Sequence, residues 1–90
     1  MPVELTGGAR WFRLSEEVGP DGVLLAQAAP DELDGVITVA FHIPGDGEVI
    51  RCHARIDEVV LEDRAERREL TFVDLDEAQR VRIQAYVETT

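Results

Sequence analysis

An alternation of apolar and polar side chains with a period of two constrains the fold of this chain more than any other feature, and it runs through most of the sequence. Strands that bury one face of a β-sheet and expose the other produce this period. The alternation is clearest in residues 36–43 and 49–61. Their predicted inward-facing residues are Ile37, Val39, Phe41, Ile43, Ile50, Cys52, Ala54 and Ile56. The pattern therefore predicts an all-β fold.

Turn-forming residues divide the alternating pattern into separate strands. Pro20-Asp21-Gly22 separates a predicted strand at residues 10–16 from a shorter one at residues 23–26, and a Pro-Gly-Asp-Gly turn closes the central hairpin. Residues 28–35 are predicted to connect two hairpins, and residues 63–68 to form an exposed hairpin tip before a last strand at residues 70–73. We expect about six antiparallel strands in one β-barrel domain over residues 10–90, preceded by a short N-terminal arm of residues 1–9.

Helical signals follow the last predicted strand. Asp74 and Glu77 fit a capping box, in which the Asp74 side chain accepts hydrogen bonds from backbone N–H groups of the first helical turn. The apolar residues that recur at near-helical spacing after Asp74 are Leu75, Ala78, Ile83, Tyr86 and Val87. We expect a C-terminal helix whose apolar stripe covers an open end or face of the barrel.

The charge composition limits which partners the chain attracts. All nine basic residues are arginine, and 19 acidic residues give a formal net charge of −10. A field of this sign repels phosphate backbones and anionic lipid head groups, so neither nucleic acid nor a membrane surface is expected as a partner. A neutral or basic protein surface is the easier partner, although acidity also serves simply to keep a small domain in solution.

Cysteine content and hydropathy bear on the cellular compartment. Cys52 is the single cysteine, which excludes an internal disulfide, and no apolar run approaches the roughly 18 residues that a membrane-spanning helix needs. The N-terminus lacks the basic and apolar regions of a secretory signal. We therefore expect a cytoplasmic protein without membrane insertion, and the starting Met with no trailing linker favours a complete chain.

The sequence predicts neither a catalytic site nor a metal site. His42 and His53 are expected to project outward from the central hairpin while Cys52 points to the opposite face, so they do not supply the convergent ligands of a metal site. Ser15, the only serine, has no histidine nearby in the sequence, and no glycine-rich phosphate loop precedes a helix. We expect a protein that is not an enzyme.

The order of the predicted elements resembles that of a PilZ domain over residues 10–88. The resemblance rests on Val-Leu-Leu after a turn glycine at residues 22–25, Gly35 before the next strand, Val-Ala-Phe-His-Ile-Pro at residues 39–44, and Leu-Thr-Phe-Val-Asp-Leu at residues 70–75. It implies a small antiparallel barrel that takes part in bacterial cyclic di-GMP signalling or surface motility.

PilZ domains that bind cyclic di-GMP carry an Arg-x-x-x-Arg arm and an Asp/Asn-x-Ser-x-x-Gly hinge. At the corresponding hinge positions this chain has Glu17, Gly19 and Gly22, so only the last glycine matches, and the nearest arginine pair is Arg10 and Arg13 at a spacing of three. Guanidinium groups would pair with phosphates, and a small polar hinge residue would hydrogen-bond a guanine. We therefore expect no cofactor, and the alternative is a receptor in which these five residues bind cyclic di-GMP in an altered geometry.

A protein-interaction role is the function that the resemblance implies and the residues permit. Trp11 stands beside Phe12 between Arg10 and Arg13, and an exposed aromatic residue there would be a protein-binding anchor. Arg51 and Arg55 form, with His53, a basic stripe on one strand face that either binds a partner or pairs with local carboxylates. We expect an adaptor that recognises a partner protein through these residues, with self-association through an exposed sheet edge as an alternative.

Overall fold

The computed structural model describes residues 1–45 and 47–89, so that Asp46 in the predicted central turn and Thr90 lie outside the described residues. The elements in chain order are β1 (Pro2–Gly7), β2 (Ala9–Val18), β3 (Gly22–Leu25), β4 (Val36–His42), β5 (Val49–Leu61), β6 (Arg64–Phe72) and α1 (Glu77–Thr89). The strands pair antiparallel and close into a barrel in the order β1-β2-β3-β6-β5-β4. The prediction of an all-β, six-stranded antiparallel barrel with a C-terminal helix is confirmed.

The N-terminal segment is a strand of the barrel, which corrects the prediction of a short arm at residues 1–9. β1 pairs with β2 on one side and with β4 on the other, so it completes the closure of the sheet. Val3 and Leu5 are fully buried, and Gly8, at a φ of 97°, lies between β1 and β2. The alternation before the glycines covers only Met1, Val3 and Leu5, which made the sequence signal too short to distinguish from an arm.

The interior of the barrel is apolar, and none of the described polar or charged residues is buried. The predicted inward-facing residues of the central hairpin are buried except Ile56, which is half-buried. The Phe41 and Phe72 rings stack across the core with centroids 6.2 Å apart and an interplanar angle of 16°. Ala29 and Leu33 of the β3–β4 connection also join the core, and the Arg67 side chain holds this connection by donating to the carbonyls of Pro30 and Leu33.

The β5–β6 hairpin is longer than predicted. Residues 63–68 were expected to form an exposed tip, but β6 begins at Arg64 and the turn consists of Glu62 and Asp63, with φ angles of 50° and 67°. Two successive residues with positive φ are typical of a type I′ turn, which matches the twist of a hairpin. The first residues of β6 pair with β5 through their backbones and are at least partly exposed, so the strand needs no large apolar side chain there.

The helix packs on the barrel through Ile83, which is fully buried, and through the half-buried Tyr86, and Leu75 packs against the core just before the helix begins. The predicted cap is wrong: the Asp76 side chain accepts from the Gln79 N–H at 2.8 Å, and α1 begins at Glu77. Asp74 is instead bonded to His53 of β5. Residues 73–76 therefore form the connection between β6 and the helix.

Candidate functional site

Gly22 lies where the backbones of β3 and β6 leave no room for a side chain. A Cβ atom at this position would lie 2.1 Å from the Leu70 carbonyl oxygen, which no side chain tolerates without a backbone shift. Gly19 has no atom within 4 Å of the equivalent position, and neither glycine has a positive φ. The glycine that matches the PilZ hinge is therefore required by strand packing, whereas Gly19 has no such constraint.

The β2–β3 turn at residues 19–21 is joined to the helix and to β6. The Arg80 guanidinium donates to the Pro20 carbonyl at 2.8 Å and to the Asp21 carboxylate at 3.2 Å. The Asp21 carbonyl accepts from the Phe72 N–H at 2.9 Å. These bonds make the turn one of the points at which α1 is attached to the barrel.

A groove of about 940 Å³ runs along this turn, and we call it the hinge groove. It is lined by residues 16–24, Val59, Val60, Leu61, Glu69, Thr71, Tyr86 and Val87. Four of these lining residues are acidic, and no basic residue of the described chain lines the groove. The local field therefore opposes a phosphate group and favours a cation.

The structure does not bring Arg10 and Arg13 together with Glu17, Gly19 and Gly22. β1 and β2 pair in one unbroken register, so alternation places Arg10 and Arg13 on opposite faces of β2, and neither lines the hinge groove. Arg10 lies 3.7 Å from the Glu4 carboxylate. Arg13 donates to the carbonyls of Phe12 and Ala28. The two guanidinium groups thus do not form a clamp.

Trp11 and Phe12 lie on opposite faces of β2. Trp11 pairs with the buried Leu5, points toward the core and is half-buried beneath the Arg13 guanidinium, whose carbon lies 5.8 Å from the indole centroid. Its Nε1 atom is buried and has no hydrogen-bond partner among the described residues. Phe12 points outward and is 60% exposed. The exposed aromatic residue of the pair is therefore Phe12. The sequence left this undecided, because pairing with β1 shows which residues of β2 face inward and β1 was not recognised as a strand.

Phe12 lies in an apolar area of the outer barrel wall. Register places Phe12, Glu4, Ala40 and Arg51 in one row across four strands, with Leu14 and Pro2 paired in the next row. A shallow groove of about 420 Å³ follows these rows. We call this surface the Phe12 face, and it comprises Pro2, Glu4, Phe12, Leu14, Ala40, Val49 and Arg51.

Arg51 and Arg55 differ in their surroundings. The Arg51 guanidinium makes no hydrogen bond or ion pair with residues 1–45 or 47–89, and it lines the groove beside Phe12. Arg55 lies 2.9 Å from the Asp57 carboxylate, whose pKa is lowered by the hydrogen bonds from Arg55 and Thr71. Of the two predicted partner-binding arginines, Arg51 is the one whose charge is not paired with another described residue.

His53 and Cys52 have roles that follow from their opposite orientations. The His53 ring lies 2.6 Å from one Asp74 oxygen and its backbone N–H donates to the other, and these bonds lower the pKa of Asp74. Burial, together with the Asp74 charge, raises the pKa of the Cys52 thiol to about 11. No three described His, Cys, Asp or Glu side chains are grouped so as to hold a metal ion.

No family model, curated protein or solved structure matches the chain. Within the part of the chain that the structure describes, the one helix is too short and too polar to cross a membrane. The interpretation of function therefore depends on the residues and their geometry alone.

Proposed function

We propose that this chain is a PilZ-like adaptor domain of bacterial signalling or motility that acts in the cytoplasm, performs no chemistry, and binds a partner protein through the Phe12 face. The observation that carries this proposal is the exposure of large apolar side chains on one outer wall of the barrel. Phe12 is 60% exposed and Leu14 is 62% exposed, and they lie beside Pro2 and the groove floor at Ala40. Such clustering on a protein surface marks an interaction site more often than single exposed residues do.

The chemistry of the face defines the partner. Burying an aromatic ring and a leucine provides the apolar anchor of an interface, and Arg51 adds a guanidinium that a partner carboxylate can bind bidentately. Glu4, which lies between Phe12 and Ala40 in the groove, is already paired with Arg10 at 3.7 Å. The partner is therefore expected to present an apolar side chain next to one acidic residue. A second copy of this chain is disfavoured because each carries a net charge of −10.

Two features of the hinge support the proposal that cyclic di-GMP is not the ligand. The hinge groove is lined by carboxylates, and Arg10 and Arg13 lie outside it on opposite faces of β2. Calorimetric titration of the purified chain with cyclic di-GMP is expected to give no heat of binding. A saturable isotherm in the micromolar range would overturn this part of the proposal and favour the receptor.

Site-specific photocrosslinking tests the interaction role in cells. A photoreactive amino acid at position 12 is expected to capture one discrete partner, whereas the same amino acid at position 81 should not, although Val81 of the helix is similarly exposed. The captured protein is then purified and titrated against Phe12→Ser and Leu14→Ser variants. The proposal fails if neither variant weakens binding, or if positions 12 and 81 capture the same set of proteins.

A further inference from the structure

We propose that the hinge groove is a second docking site, and that it binds a basic amphipathic helix of a partner protein. This inference is independent of the Phe12 face, which lies on a different part of the barrel wall. It rests on the apolar residues in the groove, on two carboxylates that form no hydrogen bond or ion pair with the described residues, and on the spacing between those carboxylates.

The groove offers apolar surface along its length. Leu24 of β3 faces outward and is half-buried, and alternation along β5 puts Val59 and Leu61 on one outward face of the long hairpin. Tyr86 and Val87 line the groove from the helix. Apolar residues from three elements therefore share one open groove, which a single docked segment could cover.

Two carboxylates in the groove remain available to a ligand. Glu16 is paired with Arg68 at 2.8 Å and Asp21 with Arg80 at 3.2 Å. Glu17 and Glu69, in contrast, form no hydrogen bond or ion pair with residues 1–45 or 47–89, and the Arg55 charge reaches Glu69 only through space. A cationic ligand would therefore supply the counter-charge that the fold does not.

Strand pairing fixes the distance between these two carboxylates. Glu17 pairs with Leu24, and Leu24 pairs with Glu69, so the three residues form one row across β2, β3 and β6. Two strand spacings separate the acidic residues by about 10 Å, with the leucine between them. Basic residues seven positions apart on an α-helix are separated by about 10.5 Å, and the residues three and four positions along lie on the same helical face.

The occupant is therefore a helix with Lys or Arg at positions i and i+7 and apolar residues at i+3 and i+4. A second copy of this chain does not fit this description, because the arginines of its own helix, Arg80 and Arg82, bond to Pro20 and Glu48. Two copies would also repel each other through a net charge of −10 on each.

A synthetic helical peptide serves as the probe. The peptide has 18 residues, with lysine at i and i+7 and leucine at i+3 and i+4, and carries a fluorophore for anisotropy measurements in low salt. A scrambled peptide of equal composition removes the apolar face but keeps the charge. We expect the patterned peptide to bind at least fivefold more tightly than the scrambled one, and to shift the amide resonances of Leu24, Val59 and Glu69.

Charge removal locates the site. Replacing Glu17 and Glu69 together by glutamine is expected to weaken binding of the patterned peptide by about tenfold, since two exposed ion pairs are lost. The matched control is Asp31→Asn with Glu32→Gln, which removes two exposed charges outside the groove and should change affinity by less than twofold. The Phe12→Ser variant should bind the peptide like the wild type, which separates this site from the Phe12 face.

The inference is overturned if the two double variants lose affinity equally, if the scrambled peptide binds as tightly as the patterned one, or if the shifted resonances lie away from the groove. Displacement of the peptide by spermidine at matched charge would likewise show that only the negative field is recognised. Amide spectra of both double variants report whether the barrel is intact, so a loss of binding through unfolding is recognised directly.

Discussion

Replacing Gly22 by alanine tests whether the hinge glycine is required by packing. The new Cβ would lie 2.1 Å from the Leu70 carbonyl oxygen, so β3 and β6 would have to separate by about 1 Å before even a tight contact is reached. β3 pairs with β6 through only three residues, from Gly22 to Leu24, so it has few other bonds to hold it in place. The side chain that causes the clash is only a methyl group, and the atom that it meets belongs to the backbone.

The expected loss of stability is large for a domain of this size. Overpacking costs about 1–3 kcal/mol, and a weakened strand hydrogen bond adds about 1 kcal/mol, so Gly22→Ala should lower the free energy of unfolding by about 3 kcal/mol. With a shift of about 4–8 °C per kcal/mol for a small domain, the midpoint of thermal unfolding should fall by about 12–24 °C. Circular dichroism of the strand signal during heating, repeated as a urea titration, measures both quantities.

The matched control for this experiment is Gly19→Ala. An alanine at position 19 meets no atom within 4 Å and requires no positive φ. It should leave the midpoint unchanged, or raise stability by about 0.4–1 kcal/mol through the lower entropy of the unfolded chain. The reasoning is refuted if Gly22→Ala melts with the wild type. It is also refuted if the two variants lose equal stability, since the requirement would then be backbone freedom in the turn and not close strand approach.

Three further predictions concern single side chains. The pKa of Asp74 in the folded state is lowered below its ordinary value of 3.8, so the bond between Asp74 and His53 stabilises the fold above pH 3.8. This stabilisation is lost as the pH falls through the lowered pKa. On acidification, the urea midpoint of Asp74→Asn should therefore decline less than that of the wild type. Cys52, buried and with a pKa of about 11, should not react with a thiol reagent at pH 8 until urea unfolds the chain. Ile83→Ala should lower the free energy of unfolding by about 2–5 kcal/mol in urea titrations, whereas the exposed Val81→Ala should change it by less than about 0.5 kcal/mol.

Most of the barrel could be predicted from sequence because its central strands alternate over long stretches. The residues from Ile37 to Ala54 that were assigned to the inner face are buried. The prediction failed at β1, where Val3 and Leu5 are the only large apolar residues that alternate, and at the start of β6, which is polar and held by backbone pairing. In both places the strand forms because it pairs with neighbouring strands, and the local pattern of apolar residues gives no information about that pairing.

The candidate surfaces were less predictable than the fold. Without β1 the sequence could not decide which of Trp11 and Phe12 faces outward, and the structure shows that Phe12 is the exposed residue. The hinge groove could not be seen from sequence either, because Leu24, Val59 and Glu69 belong to three strands and meet only through the register. The local sequence supplies three of the four carboxylates that line the groove, Glu16, Glu17 and Asp21, whereas Glu69 and the apolar lining residues of β5 and α1 come from elsewhere in the chain.

The positions of the arginines connect these observations. Arg67 and Arg68 hold the β3–β4 connection and the end of β3, because they donate to backbone carbonyls of Pro30, Leu33 and Leu25. The helix arginines bind the β2–β3 turn and the β4–β5 turn. A small barrel with a limited apolar core gains rigidity from such links, since a guanidinium can bridge several acceptors at once.

Because most arginines form structural bonds, few guanidinium groups remain to bind a ligand. Within residues 1–45 and 47–89, Arg51 is the arginine whose guanidinium bonds to nothing, and it lies beside Phe12 and away from the hinge. Glu17 and Glu69 of the hinge groove form no hydrogen bond or ion pair with the described residues, so the field there attracts cations. Arg68 and Arg80 already bond to Glu16 and Asp21 of the hinge groove, so binding of a phosphate by either guanidinium would compete with these ion pairs. Protein partners, an apolar and acidic segment at the Phe12 face and a basic helix at the hinge groove, require no such competition.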